Sequence, residues 1–439
     1  MTDDSLIAAA VARSASVAEV RIGAGVIGDV AAFYRRNAGD GAALLIADEN
    51  TWAAAGAAVQ TALLAGGIAT QTLILPASPR PKPTVVLANQ LRDVLARSGA
   101  TAVAIGSGVI NDVVKYAAFQ LNQPYLCVAT AASMDGYTSA GAPLSDMGFK
   151  KTIQCRPARA VLGDLDIIAA APAVMTGWGY GDLAGKVPAG GDWMIADALG
   201  IEAIDDAAWP MVQDGLGGWL AQPDRVARGD AQAIAGLFTG LTLVGLAMER
   251  HGSSRPASGA DHQIAHLWEM EDLLQNGNAV SHGACVAVGC AVVLALFDWL
   301  LDQDLRGLRM PAPDWAAKEA AIIAAFGTGE IATRAIEETR AKHLDPAAHA
   351  TRLALIAQVW PDLARRLRVR LVPSAVMQMR LRAAKAPATA AEIGVGRAHL
   401  RRTIAHALYL RSRYTVLDLL AETGLLRAAI DATFPADGT

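Results

Sequence analysis

The sequence predicts an α/β N-terminal domain on a mostly parallel sheet, residues 1–165, followed by an all-helical C-terminal domain, residues 166–439. Three observations predict this. Short aliphatic runs alternate with helical stretches in the first part, and the strand signal fades from about residue 166. A chain of 439 residues is also too long for one ordinary core. Strands that alternate with helices form a parallel sheet covered on both faces.

The first strand, Ala18–Ile22, is short and holds two charges, Glu19 and Arg21. Ala42–Ala47 is the second, ending at Asp48-Glu49-Asn50 and leading into the alanine-rich helical stretch Trp52–Leu64. Gln71–Leu75 precedes a proline-broken loop at Pro76–Pro83 and a helix near Val85–Ala96. Ala102–Ile105 runs into Gly106-Ser107-Gly108 and the helix Val109–Leu121, and Tyr125–Val128 and Ala160–Leu162 complete the strands. Long Ala/Leu helices are expected thereafter at roughly 225–250, 262–275, 283–301, 314–325, 328–341, 347–358 and 397–412.

Composition excludes several classes. Net charge is −4 with Lys and Arg scattered, so there is no nucleic-acid footprint. The longest apolar run, Ala284 to Phe297, has 14 residues and is cut off by Asp298, short of the roughly 20 that a membrane span needs. It reads as a buried helix. The opening Met1-Thr2-Asp3-Asp4 is acidic where a signal peptide is basic. Cys127, Cys155, Cys285 and Cys290 form no CxxC pair and read as buried free thiols, which points to a reducing, cytoplasmic compartment.

Ionisable groups concentrate in Ser253 to His266. His262 and His266, four apart, share one helix face about 5–6 Å apart. His282 follows in Ser281-His282-Gly283, and Asp182 sits upstream in Gly179-Tyr180-Gly181-Asp182-Leu183. One carboxylate and two imidazoles suit a catalytic zinc-type site with an open coordination position. Taken singly, the histidines could be an ordinary helix pair, and Asp182 a turn or capping carboxylate.

Two glycine motifs compete for a dinucleotide. Gly23-Ala24-Gly25-Val26-Ile27-Gly28 matches GxGxxG, with Asp48 20 residues beyond it. Gly106-Ser107-Gly108 follows a cleaner apolar strand and opens a more convincing helix, but Asn111 stands where a third glycine would be. The pyrophosphate requires a small-residue turn that exposes backbone N–H groups at a helix N-terminus, and the Gly106 turn meets this better.

Together, Gly106 to Asp112, Thr130-Ala131-Ala132-Ser133-Met134-Asp135-Gly136-Tyr137-Thr138-Ser139, Gly179 to Leu183, Ser254 to His262 and Ser281-His282-Gly283 form a joint pattern. It resembles the sn-glycerol-1-phosphate dehydrogenases, within the metal-dependent polyol dehydrogenases of dehydroquinate-synthase-like fold. Tyr414-Thr415-Val416-Leu417-Asp418 also resembles the bacterial members. The resemblance implies a pyrophosphate cradle of Gly106, Gly108, Val109, Ile110, Asn111 and Asp112. It implies a nicotinamide contact through Thr130, Ala131, Ala132, Ser133 and Ser139. It places Asp48 on the adenosine ribose, favouring NAD over NADP, although Asp48 could instead cap the following helix. Asp182, His262 and His282 are implied as ligands of zinc or nickel. Asp135 and His266 are implied as substrate contacts, a role that Asp182 could share.

The implied reaction interconverts dihydroxyacetone phosphate and sn-glycerol 1-phosphate. Glycerol or another small polyol is an alternative substrate, and a dehydroquinate-synthase-like lyase an alternative reaction. Lys150, Lys151 and Arg255 are candidates for the substrate phosphate, with surface solvation as the other reading. Gly185-Lys186-Val187-Pro188-Ala189-Gly190-Gly191 is expected to break the helix after Asp182. The apolar helices suggest a homodimer or larger assembly.

Overall fold

The computed structural model describes residues 3–146, 149–311 and 314–436. Eight strands organise the first half: β1 (Glu19–Gly23), β2 (Ala43–Asp48), β3 (Thr70–Leu75), β4 (Thr101–Gly106), β5 (Tyr125–Ala129), β6 (Ala142–Asp146), β7 (Phe149–Ile153) and β8 (Ala160–Asp164). Six of them form one sheet in the order β1-β8-β5-β4-β2-β3. Every pair in it is parallel, with Ala104 opposite Ile46 on one side and Cys127 on the other. Central strands β5 and β8 are buried throughout, as expected of aliphatic strands covered on both faces.

β1 is an edge strand, which explains its two charges. Glu19 bonds the Arg36 guanidinium at 2.6 Å, and Arg21 pairs with Asp29. The hairpin β6–β7 has no counterpart in the sequence reading, because its short, polar, proline-containing strands lack the aliphatic signal.

The contacts divide the chain into two compact units, and the division differs from the expected boundary near residue 165. The first unit comprises the described residues of Met1–Leu183, Ala207–Pro256 and Ala383–Lys385. Helix Ala231–His251 belongs to it because its Phe238 ring lies over β8. A Cβ on Gly163 would come within 2.3 Å of that ring. Thr138 Oγ1 adds a hydrogen bond to the Thr242 carbonyl at 2.7 Å.

The second unit comprises the described residues of Ala184–Asp206, Ala257–Arg382 and Ala386–Thr439. The break expected in its Gly185-to-Gly191 run is confined to Gly185, a single turn residue between Ala184, where helix Ala173–Ala184 ends, and Lys186, where the next helix starts. Gly185 has α-helical dihedrals, and Lys186–Ala198 is helical, with Pro188 in the first turn, where a missing N–H is tolerated. Helix His282–Leu301 packs against helix Ala260–Met270 so closely that a Cβ on Gly289 would lie 2.4 Å from the Asp261 carbonyl oxygen. The helix expected at 347–358 runs from Pro346 to Arg370, through Pro361.

Among the described residues, two helices, Ala231–His251 and His282–Leu301, are long and apolar enough to cross a membrane by length and composition. They are 67% and 83% buried within the fold, so each serves as a core helix. None of the four cysteines is in a disulfide and all are buried, and burial raises the Cys127 thiol to about 12.

Asp164, at the end of β8, accepts the N–H groups of Gly25 (3.2 Å), Ile27 (2.9 Å) and Asp166 (3.1 Å). Asp164→Ala is expected to cost about 3 kcal/mol, since three amides lose a charged acceptor, and to leave dinucleotide affinity intact. Thermal melting with a dinucleotide titration checks this. Gly289→Ala is expected to cost about 1–3 kcal/mol, because the added methyl meets backbone that cannot rotate away. A lowered melting temperature is the readout.

Candidate active site

The first unit contains a topological switch point. β2 is followed by its neighbour β3 on one side, and β4 by its neighbour β5 on the other. The carboxyl ends of β2 and β4 therefore border a crevice of the kind in which open α/β sheets bind ligands. Asp48 ends β2 and Gly106 ends β4. The helix Gly108–Gln120 starts there with Ser107 as N-cap, and the Ser107 side chain makes no capping bond. That leaves an N-terminus suited to an anion.

Gly106 fits tightly, because a Cβ on it would meet Ile110 at 2.8 Å. Ile110 and Asn111 are both buried. Asp48 caps the following helix, accepting the Thr51 N–H at 2.8 Å through Oδ1. The capping reading of Asp48 is thus realised.

The competing turn is already filled. Gly25 has φ of +64°, and the amides of Gly25 and Ile27 point at the Asp164 carboxylate. An internal anion sits where the GxGxxG pattern would hold a phosphate.

The loop after β5 carries Thr130, Ala131, Ala132, Ser133 and Ser139, all buried. The Thr130 N–H donates to the Gly106 carbonyl at 3.2 Å, tying this loop to the glycine turn. Helix Ala173–Ala184 presses on it, since a Cβ on Gly179 would lie 1.9 Å from the Ala132 carbonyl oxygen. Ser139 Oγ donates to the Gly136 carbonyl at 3.2 Å.

Sequence reasoning missed Lys115. It is fully buried, and its Nζ donates to the carbonyls of Gly136 and Gly141 at 2.8 Å each, with Asp112 3.5 Å away. Asn111 Nδ2 reaches the same Gly136 carbonyl at 3.3 Å. Asn111 and Asp112 thus belong to a buried network that shapes the loop. The hint in the sequence was the spacing, since Asn111 and Asp112 stand four and three residues before Lys115 and so share its helix face. Asp135 lies in this loop, and its N–H donates to Asp182 Oδ2 at 3.0 Å. Asp182 is itself fully buried on helix Ala173–Ala184.

The second unit gathers the three histidines. Ring centroids lie 5.4 Å apart for His262–His282, 5.8 Å for His266–His282 and 5.9 Å for His262–His266. His262 Nδ1 bonds Asp261 Oδ2 at 2.7 Å, and His282 Nδ1 bonds Glu269 Oε1 at 2.7 Å. A carboxylate on Nδ1 fixes the tautomer in which Nε2 carries the lone pair, the state of a metal-ligating imidazole. Glu269 was not anticipated, although it stands three residues after His266 on the same face. His266, Glu269 and His282 also offer ligand atoms within 4.8 Å of one another. Burial holds the His266 imidazole well below the usual histidine range. Glu269 opposes this, and Arg411, His282 and His262 reinforce it.

Arg255 is fully buried in the first unit, which removes its reading as a solvated surface group. The side chains of Lys150 and Lys151 lie outside the described residues.

The pattern of the family described as iron-containing alcohol dehydrogenase matches residues 21–172. A Bacillus subtilis protein named glycerol-1-phosphate dehydrogenase (NAD(P)+) is 32% identical over 386 residues, covering 87% of this chain and 86% of that one. One of the same name from Thermofilum pendens is 31% identical, covering 70% of this chain and 84% of that one. A third, from Bacillus velezensis, is 37% identical over 57% of this chain, and the match spans just under two thirds of that relative, 64%. Among solved structures, a probable glycerol dehydrogenase from Sinorhizobium meliloti superposes with a TM-score of 0.62 at 17% identity, covering 94% of this chain and 96% of that one. Glycerol dehydrogenase from Schizosaccharomyces pombe gives 0.60 at 16%, covering 95% and 91%. At such identities the likeness is one of fold. The extended matches above 30% identity carry more: the chain belongs to the glycerol-1-phosphate dehydrogenase family, NAD(P)-dependent oxidoreductases of the iron-containing alcohol dehydrogenase type.

Proposed function

We propose that this chain interconverts dihydroxyacetone phosphate and sn-glycerol 1-phosphate, with NAD(P) as hydride carrier and one divalent ion, zinc or nickel, held by Asp182, His262 and His282. One observation carries the reading: the two imidazoles each have Nδ1 bonded to a carboxylate, which readies Nε2 for a cation. This donor set fits a divalent metal. When bound, the metal supplies Lewis-acid polarisation of the substrate C2 oxygen, and the dinucleotide supplies the hydride.

The residues then divide the remaining work. Backbone from Gly106 to Asp112 holds the pyrophosphate at the helix N-terminus, and Thr130 to Ser133 with Ser139 holds the nicotinamide half. Asp48 receives the adenosine ribose through the carboxylate oxygen that does not cap its helix, which favours NAD. The Asp135 N–H orients Asp182. Asp135 and His266 contact the substrate, and His266, kept neutral by burial, donates or accepts at the C2 oxygen without repelling a cation. We extend the proposal to a cytoplasmic homodimer or larger assembly; the four buried free thiols support a reducing compartment.

The protein stripped of metal is expected to oxidise NADH with dihydroxyacetone phosphate only after zinc or nickel is restored, giving sn-glycerol 1-phosphate. His262→Ala is expected to abolish that rate. Turnover of unphosphorylated polyols alone would move the substrate to glycerol or a relative, and turnover with no net NADH change would indicate a lyase. Glu269→Ala is expected to weaken metal affinity about 10–100-fold by freeing the His282 ring, measured by chelator competition.

A further inference from the structure

Helix Ala260–Met270, which carries His262 and His266, starts without a cap of its own. Its N-cap residue is Gly259, which has no side chain to offer. The first amide is held from another helix of the second unit. Asp192, on Lys186–Ala198, accepts the Ala260 N–H through Oδ2 at 2.7 Å. The other oxygen of that carboxylate accepts the Val416 N–H, also at 2.7 Å. Val416 opens the helix Val416–Glu422, so one fully buried carboxylate closes two helix N-termini far apart in sequence. Both helix dipoles favour a negative charge there.

Neighbouring contacts strengthen the link. Arg413 donates to the Ser258 carbonyl at 2.7 Å, and buried Thr415 forms a capping box with Asp418 at the start of Val416–Glu422. Gly259 is required by the clamp itself. A Cβ there would lie 2.2 Å from Asp192 Oδ2 and 2.9 Å from Ala189 Cα.

We propose that Asp192 is a positioning residue that ties the C-terminal segment Arg413–Asp418 to the histidine helix and so sets the placement of His262 for cation binding. This rests on the reading of His262 as a metal ligand. His262 lies two residues beyond the clamped amide, and its orienting carboxylate, Asp261, lies one residue beyond. Slack in that first turn displaces both together. The Tyr414-to-Asp418 run thereby acquires a task, that of buttressing the histidine helix from the far end of the chain.

The test uses the full chain with Asp192→Asn, which keeps the shape but loses one of the two acceptor oxygens. A second variant, Thr415→Val, removes the cap at the opposite end of the clamp. Zinc affinity is measured by competition with a chromophoric chelator. Amide hydrogen exchange is followed over 259–270 and 413–422, and circular dichroism reports folding. Both variants are expected to exchange faster in both segments together and to bind zinc about tenfold more weakly, within the range typical of outer-shell partners. Dinucleotide affinity, a property of the first unit, is expected to stay at the wild-type value. Faster exchange confined to one segment, or unchanged zinc affinity in variants of a zinc-binding wild type, would overturn the clamp alone. A wild-type chain that binds neither zinc nor nickel would instead sink the functional reading, and the clamp's role in cation binding with it. Should Asp192→Asn fail to fold, Thr415→Val carries both measurements.

Discussion

The second unit depends on two helix backbones meeting at Gly289. Helix His282–Leu301 approaches helix Ala260–Met270 so closely that no side chain fits between Gly289 and the Asp261 carbonyl. In the same helix pair the Glu269 carboxylate reaches His282 Nδ1 at 2.7 Å, and three imidazoles lie within 6 Å of one another. The apolar length of His282–Leu301, 83% buried, anchors the arrangement. Polar rings gathered at one end of a helix are tolerated because the rest of that helix removes a large apolar area from water.

Electrostatics then dictates how the rings are used. Asp261 is fully buried, and a bare carboxylate there would be costly. It is stabilised by the Gly259 N–H at 3.1 Å and by His262 at 2.7 Å, so backbone, carboxylate and imidazole form one chain of dependence. Among the described residues no carboxylate is hydrogen-bonded to the His266 ring, and burial holds its imidazole well below the usual histidine range. Three histidines on one surface thus acquire different chemistry from their neighbours, and the neighbours are fixed by helix periodicity.

What the sequence disclosed follows from which signals are local. The buried strands β2, β4, β5 and β8 were legible because each is an uninterrupted aliphatic run. The spacing of His262 and His266 on a helix face was equally local. The placement of helix Ala231–His251 on the sheet was not, since it depends on Phe238 meeting a glycine in β8, a long-range contact that composition does not reveal. The Gly185-to-Gly191 run was legible only in part, for the converse reason. Its glycines and proline suggest a break throughout, and the break occurs at Gly185 alone: Gly191 lies 3.0–3.1 Å, measured from a Cβ placed on it, from Leu371 and Phe297, and packing holds it helical. Tertiary contact overrides propensity there. Lys115, Glu269 and Asp192 went unread because each acts on backbone or on a ring supplied by a distant or differently phased segment.

The two glycine turns show why a motif match does not determine a phosphate site. Both place backbone N–H groups at the start of a helix, and both follow a parallel strand. They differ in position and in occupancy. The Gly23 turn follows β1, at the edge of the sheet, and the adjacent strand β8 ends in Asp164, whose carboxylate satisfies the turn's amides. The Gly106 turn follows β4, at the point where the strand order reverses, and the Ser107 side chain makes no capping bond. A helix N-terminus attracts whichever anion is near. Where the chain supplies its own carboxylate, the turn is a structural joint. Where the N-cap side chain makes no such bond, at the reversal of strand order, the same physics suits an external anion.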